Sequence, residues 1–592
     1  MVKTAARAYL SPTLVLLALD WPDGEHRDNF LGFAIKRTPG FQDLKTKTMA
    51  PFSWLPNRIG FEGPPASGQP DFPSDRAPVQ KFMWWDARLE GVATGQSLTY
   101  EISAVTGTKT QHALDPASTS QLTVTLPSHV EKGIGSWFNR AVMSSQAFSR
   151  KVEALHLDGA APTPAQALEL SAWLSNGIQD PLRDFVAKAS SIVGAIYHLT
   201  DGLWVIPVLK QVMSHTTIGL VYDAVVHKDP KTKQVIPNPN NGAITTLKSV
   251  KFFPRNKTTI MHNKYLVGGE KLMSTSGVQP QRVVCGSANY TTEGLTSQAN
   301  LIHSFESPDL AAMYHKRFLV LKGNPTLGKT AAGAGWSKTV SVGDAGVRVF
   351  FSPEPGKPGD DSASIETIVR AIHKARSSVV FCLFTPTDKE LRDACFTLGD
   401  AGKMMFGLVN HVAAAEPHPS PTTTGKIPAD QLAALEIYHR SKDNRDVIGA
   451  EFFHAAVVPH GFQPEINIFP GMKPPPYPPV IIHHKFVVID AETESPVVYT
   501  GSANMSGNSV FRNDENLLEI TGSPRLARIY LAEFMRLYEH YRARARFIVF
   551  KKSGQAPSAA GFALRPDRRW ATAHYTPGTP EFKARERLLS LA

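Results

Sequence analysis

Cysteine is scarce in this chain, with only Cys285, Cys382 and Cys395 in 592 residues. So few thiols exclude a disulfide framework, their spacing offers no paired thiolate zinc ligands, and a reducing compartment is expected. Long apolar runs are missing too: none approaches the roughly 18 residues that a spanning helix needs. The early run at 14–19, behind Lys3 and Arg7, ends in Asp20-Trp21-Pro22 without a small-residue cleavage site. It reads as a buried strand rather than an export signal. The expectation is a soluble or peripheral protein, with the cytoplasm favoured. Charged residues make up only 19% of the chain against 42% hydrophobic, a globular mixture that excludes disorder and coiled coil. The length suits two to four domains.

What charge there is lies unevenly. The formal net charge is +11, and residues 541–592 hold eleven Lys or Arg against three acids. Such a stretch reads either as a solvated basic face or as a basic tail for a polyanion, an anionic lipid surface or nucleic acid. Residues 1–126 read as short strands broken by Pro and Gly. Leu98, Tyr100, Ile102 and Ala104 share one face, and Leu122, Val124 and Leu126 alternate with threonines. This is the pattern of half-buried antiparallel strands, and the region is expected to form a small all-β sandwich. From about residue 131 helical patterns alternate with apolar strands, the texture of α/β layering. The Gly/Ala-rich stretch 323–335 reads as a linker. The expected division is 1–126 sandwich, 127–330 first α/β half, 331–550 second half and 551–592 basic tail.

An internal repeat ties the two halves together. Lys188-Ala189 matches Lys374-Ala375, and His262-x-Lys264 matches His483-x-Lys485. Gly286-Ser287-Ala288-Asn289 matches Gly501-Ser502-Ala503-Asn504, and Ser307-Pro308 through Tyr314 matches Ser523-Pro524 through Tyr530. The separations are 186, 221, 215 and 216 residues, so the second half gains 35 residues before its His-x-Lys. The proline-rich stretch 459–479, with 416–424, is where that insertion is expected. Its apolar residues Ile466, Ile468, Phe469, Met472 and Tyr477 suit a lip facing a bilayer interface.

Residues two apart on a strand share a face, so His262 points with Lys264 and His483 with Lys485, and likewise Ser287 with Asn289 and Ser502 with Asn504. A lysine in a buried strand needs an anion to offset its desolvation, and a phosphate supplies one. Two histidines on either side of a phosphodiester suffice for displacement, one attacking phosphorus and the other protonating the leaving oxygen. No metal or other cofactor is called for, since the lysine beside each histidine disfavours a cation.

The motif His483-x-Lys485-x4-Asp490, followed by Gly501-Ser502-x-Asn504 and by Asn513-Asp514-Glu515-Asn516, resembles the signature of the phospholipase D superfamily. With the second copy at His262 and Lys264, the resemblance covers roughly residues 130–550. It implies two duplicated α/β halves around one active site, a phosphohistidine intermediate, and phosphodiester hydrolysis or transphosphatidylation. On that basis His262, Lys264, Asn289, His483, Lys485, Asn504 and Glu515 are the candidate catalytic residues, with Ser287 and Ser502 binding the substrate phosphate. Asp490 and Asn300 are expected to support them. The first half departs from the motif. Gly269 stands where Asp490 does, and aligning Ala299-Asn300 with Glu515-Asn516 leaves the first half without its carboxylate. Glu515 is then expected to orient His483, leaving His262, with only neutral partners such as Gln298 and Asn300, as the nucleophile. The leading expectation is a phospholipid head-group phosphodiesterase acting at a membrane surface as a monomer. The alternatives are a nuclease or tyrosyl-DNA phosphodiesterase-like activity and a weakly active phosphate-binding scaffold.

Overall fold

A computed structural model describes residues 2–590 except 44, 64, 67–68, 143–144, 158–161, 230–231, 272–277, 423–424, 451–479 and 553–562. The 459–479 stretch, expected as a membrane-facing lip, lies outside the described residues.

Two antiparallel sheets form the N-terminal part. One orders Ala5–Ser11, Leu14–Asp20 and Met83–Asp86; the other orders Ser120–Thr125, Ser97–Gly107, Phe30–Thr38 and Ser53–Trp54. Strict alternation puts Leu98, Tyr100 and Ile102 of one sheet against Val15, Leu17 and Leu19 of the other in a shared core.

Two mixed eight-stranded sheets follow, with the same strand order and the same sense at every pairing. In the first, Ser191–Ile196 lies parallel to Thr217–Asp223 and antiparallel to Lys264–Lys271. In the second, Ser378–Leu383 lies parallel to Met404–Val409 and antiparallel to Lys485–Ile489. Each His-x-Lys therefore opens a central antiparallel strand at the sheet end where the parallel strands finish. The fold is mixed α/β, as expected.

Helices Pro308–Lys322 and Pro524–Lys552 join the halves. The apolar stripe Leu526, Ile529, Tyr530, Phe534, Leu537 and Tyr541 is fully buried in a core shared with both sheets. The contacts are reciprocal: Tyr314 Oη donates to Asn516 Oδ1 of the second half (3.2 Å), and Tyr530 Oη lies 2.6 Å from His303 Nε2 of the first.

Residues 563–590 take a packed course instead of forming a free basic tail. Trp570, Ala571 and Tyr575 enter the N-terminal core, and Ala584 and Leu588 of helix Pro580–Leu589 enter the main one. Burial of these apolar groups draws the basic residues into ion pairs: Arg585 with Asp20 (2.7 Å), Arg568 with Asp28 (3.1 Å), and Arg542 with Glu581 (2.8 Å). The stretch 323–335 likewise contains the short helix Leu327–Ala331, whose Thr330 and Ala331 are buried.

Candidate active site

Each histidine enters the site on backbone borrowed from the opposite half. Strand Ile260–Met261 pairs in parallel with Asn513–Asp514, and the His262 N–H donates to the Asp514 carbonyl (3.0 Å). Ile482 bridges Ala299 in parallel, and the His483 N–H donates to the Ala299 carbonyl (3.1 Å). The polar ends of the parallel strands steady the approach. The Met261 N–H donates to Asp223 Oδ1 (2.8 Å), and those of Ile481 and Ile482 donate to Asn410 Oδ1 (2.8 and 2.9 Å). The two imidazole centroids lie 6.4 Å apart, with the rings inclined at 71°.

The exchange corrects the expected partner of Glu515. His262 Nδ1–H donates to Glu515 (2.9 Å to each oxygen), whereas His483 Nδ1–H donates to Asn300 Oδ1 (2.9 Å). The strand register also moves the alignment by one residue. Gly286 pairs with Ile302 and Gly501 with Leu517, so the counterpart of Glu515 is Asn300 and that of Asp514 is Ala299. The first half carries a carboxamide where the second carries a carboxylate.

Ser287 and Ser502, expected on the phosphate, face elsewhere. Both are fully buried; Ser287 Oγ donates to Asn300 Oδ1 (2.8 Å) and Ser502 Oγ to Glu515 Oε2 (2.7 Å). Each hydroxyl also accepts a backbone N–H, from Leu301 and Asn516 respectively, which leaves no donor for a substrate. They position the residues that orient the histidines. Glycine precedes each serine because the neighbouring strand presses on it: a Cβ would sit 2.3 Å from the Leu301 carbonyl at Gly286 and 2.3 Å from that of Asn516 at Gly501.

Lys264 and Lys485 are buried, and each ammonium donates to the carbonyl of its own histidine (2.6 and 2.7 Å). Among the described residues neither has a carboxylate within ion-pair distance. Burial lowers the pKa of both, that of Lys485 to about 7. Burial, and then the two lysines, also hold both imidazoles well below their ordinary value. Glu515 moves the other way, pushed by burial to about 7. Neither Asn289 nor Asn504 makes a side-chain hydrogen bond among the described residues, which leaves the Nδ2 donors free for a ligand while each Oδ1 is buried and unpaired.

Asp490 sits behind the site with φ of 52°, its carboxylate accepting the N–H groups of Arg376, Ser377 and Ser378 (2.8–3.1 Å). At Gly269 the adjacent strand occupies that space, with a Cβ falling 1.8 Å from the Gln279 carbonyl.

Several residues were not anticipated. Tyr197 packs edge-on to His262 (5.0 Å) and Phe384 to His483 (6.3 Å), and Asp514 is held by Arg255 (2.8 Å) and Arg317 (3.3 Å). Tyr197 and Asp223 stand 187 residues before Phe384 and Asn410, close to the 186 separating the Lys-Ala landmarks, so the repeat carried their signal. His303 is a core residue between Tyr530 and the Gly135 carbonyl.

Residues 368–538 match the family model described as "Cardiolipin synthase, PLD-like domain". Among solved structures the chain is similar to phosphatidylserine synthase of Haemophilus influenzae, at 12% identity and a TM-score of 0.42, over 66% of this chain and 94% of that one. It is similar to polyphosphate kinase of Porphyromonas gingivalis at 10% and 0.34, over 87% and 74%. Nuc, a phospholipase D family member from Salmonella typhimurium, is similar at 16% and 0.21, over 33% and 95%. No curated protein matches the chain.

Proposed function

From a chain whose residues 368–538 match a phospholipase D-like domain, we propose a phosphodiesterase that works through a phosphohistidine, with lipid head-group diesters as its substrate class. The observation that carries this reading is the pair of buried lysines with no carboxylate in ion-pair contact among the described residues, set beside two imidazoles 6.4 Å apart. A phosphodiester anion between the histidines supplies the missing charge.

Glu515 holds the Nδ1 proton of His262, which leaves Nε2 as a free lone pair and stabilises the cation formed when it reacts. His262 Nε2 attacks phosphorus, and the P–O bond to the leaving group breaks as His483 Nε2–H protonates that oxygen. His483, oriented by the neutral Asn300 amide, suits that step once the bound phosphodiester anion offsets the two lysines and its Nε2 takes up a proton. Water then gives its proton to His483 and attacks phosphorus, breaking the P–N bond and restoring His262. Lys264, Lys485, Asn289 and Asn504 bear on the non-bridging oxygens as charge builds. His262 is thus assigned as nucleophile because of its carboxylate, and not for want of one. The lipid assignment is supported by the matched model, which carries the name of a cardiolipin synthase domain.

The test is head-group release from mixed phospholipid vesicles beside cleavage of single-stranded DNA, both with EDTA. His262→Ala and His483→Ala are each expected to lower lipid turnover about a thousandfold or more. Near-normal turnover in either variant sinks the two-histidine mechanism. Two ammonium groups repel a metal cation, so EDTA is expected to leave the rate unchanged. DNA cleavage without lipid turnover replaces the substrate class.

A further inference from the structure

Exposed apolar side chains are concentrated at one end of the two large sheets. Of the eleven large hydrophobic residues exposed among the described residues, five stand on loops leaving the C-terminal ends of parallel strands. Leu203 (37% exposed) follows Ser191–Ile196, while Val226 (67%), Val235 (60%) and Ile236 (47%) follow Thr217–Asp223. Ile427 (37%) follows Met404–Val409. This is the end at which His262 and His483 stand.

Three of the five belong to one small hairpin. The Ile236 N–H donates to the His227 carbonyl (2.8 Å), the Asp229 N–H to that of Gln234 (2.9 Å), and Lys228 bridges Val235. Its base is tied to the catalytic machinery. Asn238 Nδ2 donates to the Asp223 carbonyl (2.7 Å) and Asn240 Nδ2 to that of Tyr197 (3.0 Å), while Asn240 Oδ1 accepts the Leu199 N–H (2.8 Å). The hairpin is therefore fixed beside His262. A two-stranded ribbon that leaves three β-branched aliphatic groups in water gains nothing from them in the isolated chain. Lys228 and Lys233 are exposed on the same ribbon, and Lys257 is exposed at the end of the next parallel strand, Lys251–Arg255. None of these three has a carboxylate within ion-pair distance among the described residues.

We propose that the paired residues 226–229 and 232–236, with Leu203 on the neighbouring loop, are the surface on which this protein docks to an anionic lipid bilayer. The valines and isoleucine enter the interface, and the lysines meet the head groups. Aliphatic groups at the base of the ribbon with lysines toward its turn fit that partner by hydrophobicity and by charge. They do not fit a nucleic acid, which calls for aromatic or guanidinium surfaces to stack upon. The proposal rests on the lipid-diester reading and adds to it how substrate is approached: a diester is taken directly from the membrane plane at the mouth beside His262.

The experiment uses the full chain and vesicles of phosphatidylglycerol with phosphatidylcholine. Cosedimentation is compared among the wild type, the triple variant Val226→Ser, Val235→Ser, Ile236→Ser, and the pair Lys228→Glu, Lys233→Glu. Turnover of the soluble diester bis(4-nitrophenyl) phosphate is followed in parallel. Both variants are expected to keep soluble turnover within about twofold and to bind vesicles about tenfold more weakly or worse, the wild type losing affinity as salt rises. Unchanged vesicle binding by the triple variant overturns the proposal, as does a wild type that ignores vesicles and retains single-stranded DNA. If the triple variant fails to fold, V235C labelled with a polarity-sensitive dye decides, because the native cysteines are all buried. A blue shift on adding vesicles supports insertion, and an unshifted spectrum overturns it. Hairpin-dependent binding without release of head group overturns the lipid-substrate reading and leaves the docking surface standing.

Discussion

At the residue scale the active site is an asymmetric pair built on a symmetric frame. Glu515 and Lys485 both titrate near neutrality, and their signs are opposite. Below about pH 7 Glu515 takes up a proton and ceases to accept from His262, so kcat/KM is expected to fall toward acid. Above about pH 7 free Lys485 loses its charge, so binding of an anionic diester weakens toward alkali. The expected profile is a narrow bell, measured as kcat/KM against pH. Glu515→Gln is expected to flatten the acid limb at a cost of about a hundredfold in rate, and Lys485→Arg to move the alkaline limb upward. An acid limb that survives Glu515→Gln would assign it to another group. The two His-x-Lys motifs and their asparagines were legible because their spacing repeats. The pairing was not, because a linear alignment one residue out of register placed Ala299 opposite Glu515. Nor does a sequence state that a residue orients its neighbour across an interface. Ser287 and Ser502 misled for a related reason: a hydroxyl in a repeated turn reads the same whether it faces substrate or a buried partner.

At the element scale the second half braces its central strands through Asp490 and the first half does without such a brace. Three N–H groups at the start of Ser378–Leu383 depend on that carboxylate. Asp490→Ala is expected to cost about 2–4 kcal/mol by leaving them unsatisfied, read as a lower denaturation midpoint at unchanged slope. Loss of activity without loss of stability would instead give Asp490 a role in the chemistry. Period-two alternation announced Ser97–Gly107 and continuous apolar runs announced the two His-x-Lys strands, since burial on one or both faces writes itself into composition. The short helix Leu327–Ala331 stayed hidden in a Gly/Ala-rich stretch, because Thr330 is buried for its contact with Arg255, a partner 75 residues away.

At the scale of the whole molecule, the ends of the chain close on each other. Tyr575 Oη donates to the Trp21 carbonyl (2.6 Å), Tyr9 Oη to that of Leu588 (2.6 Å), and Trp570 Nε1 to that of Phe30 (3.1 Å). Two of the basic residues that suggested a tail for polyanions are spent on this closure, Arg585 on Asp20 and Arg568 on Asp28. Tyr575→Ala is expected to cost about 3 kcal/mol by opening a cavity in the N-terminal core, seen as a fall in Tm with the chemistry of the remaining folded protein unchanged. A variant as stable as the wild type would show that the two ends are not energetically joined.

The exchange of orienting residues between halves also has a bearing on heredity. A contact that crosses a two-fold axis needs two copies of one half, and in a symmetric dimer a single codon would write both orienting residues at once. Carrying both copies in one reading frame separates those codons. One can then keep the carboxylate at 515 while the other encodes the amide at 300, and the two histidines can be given different work.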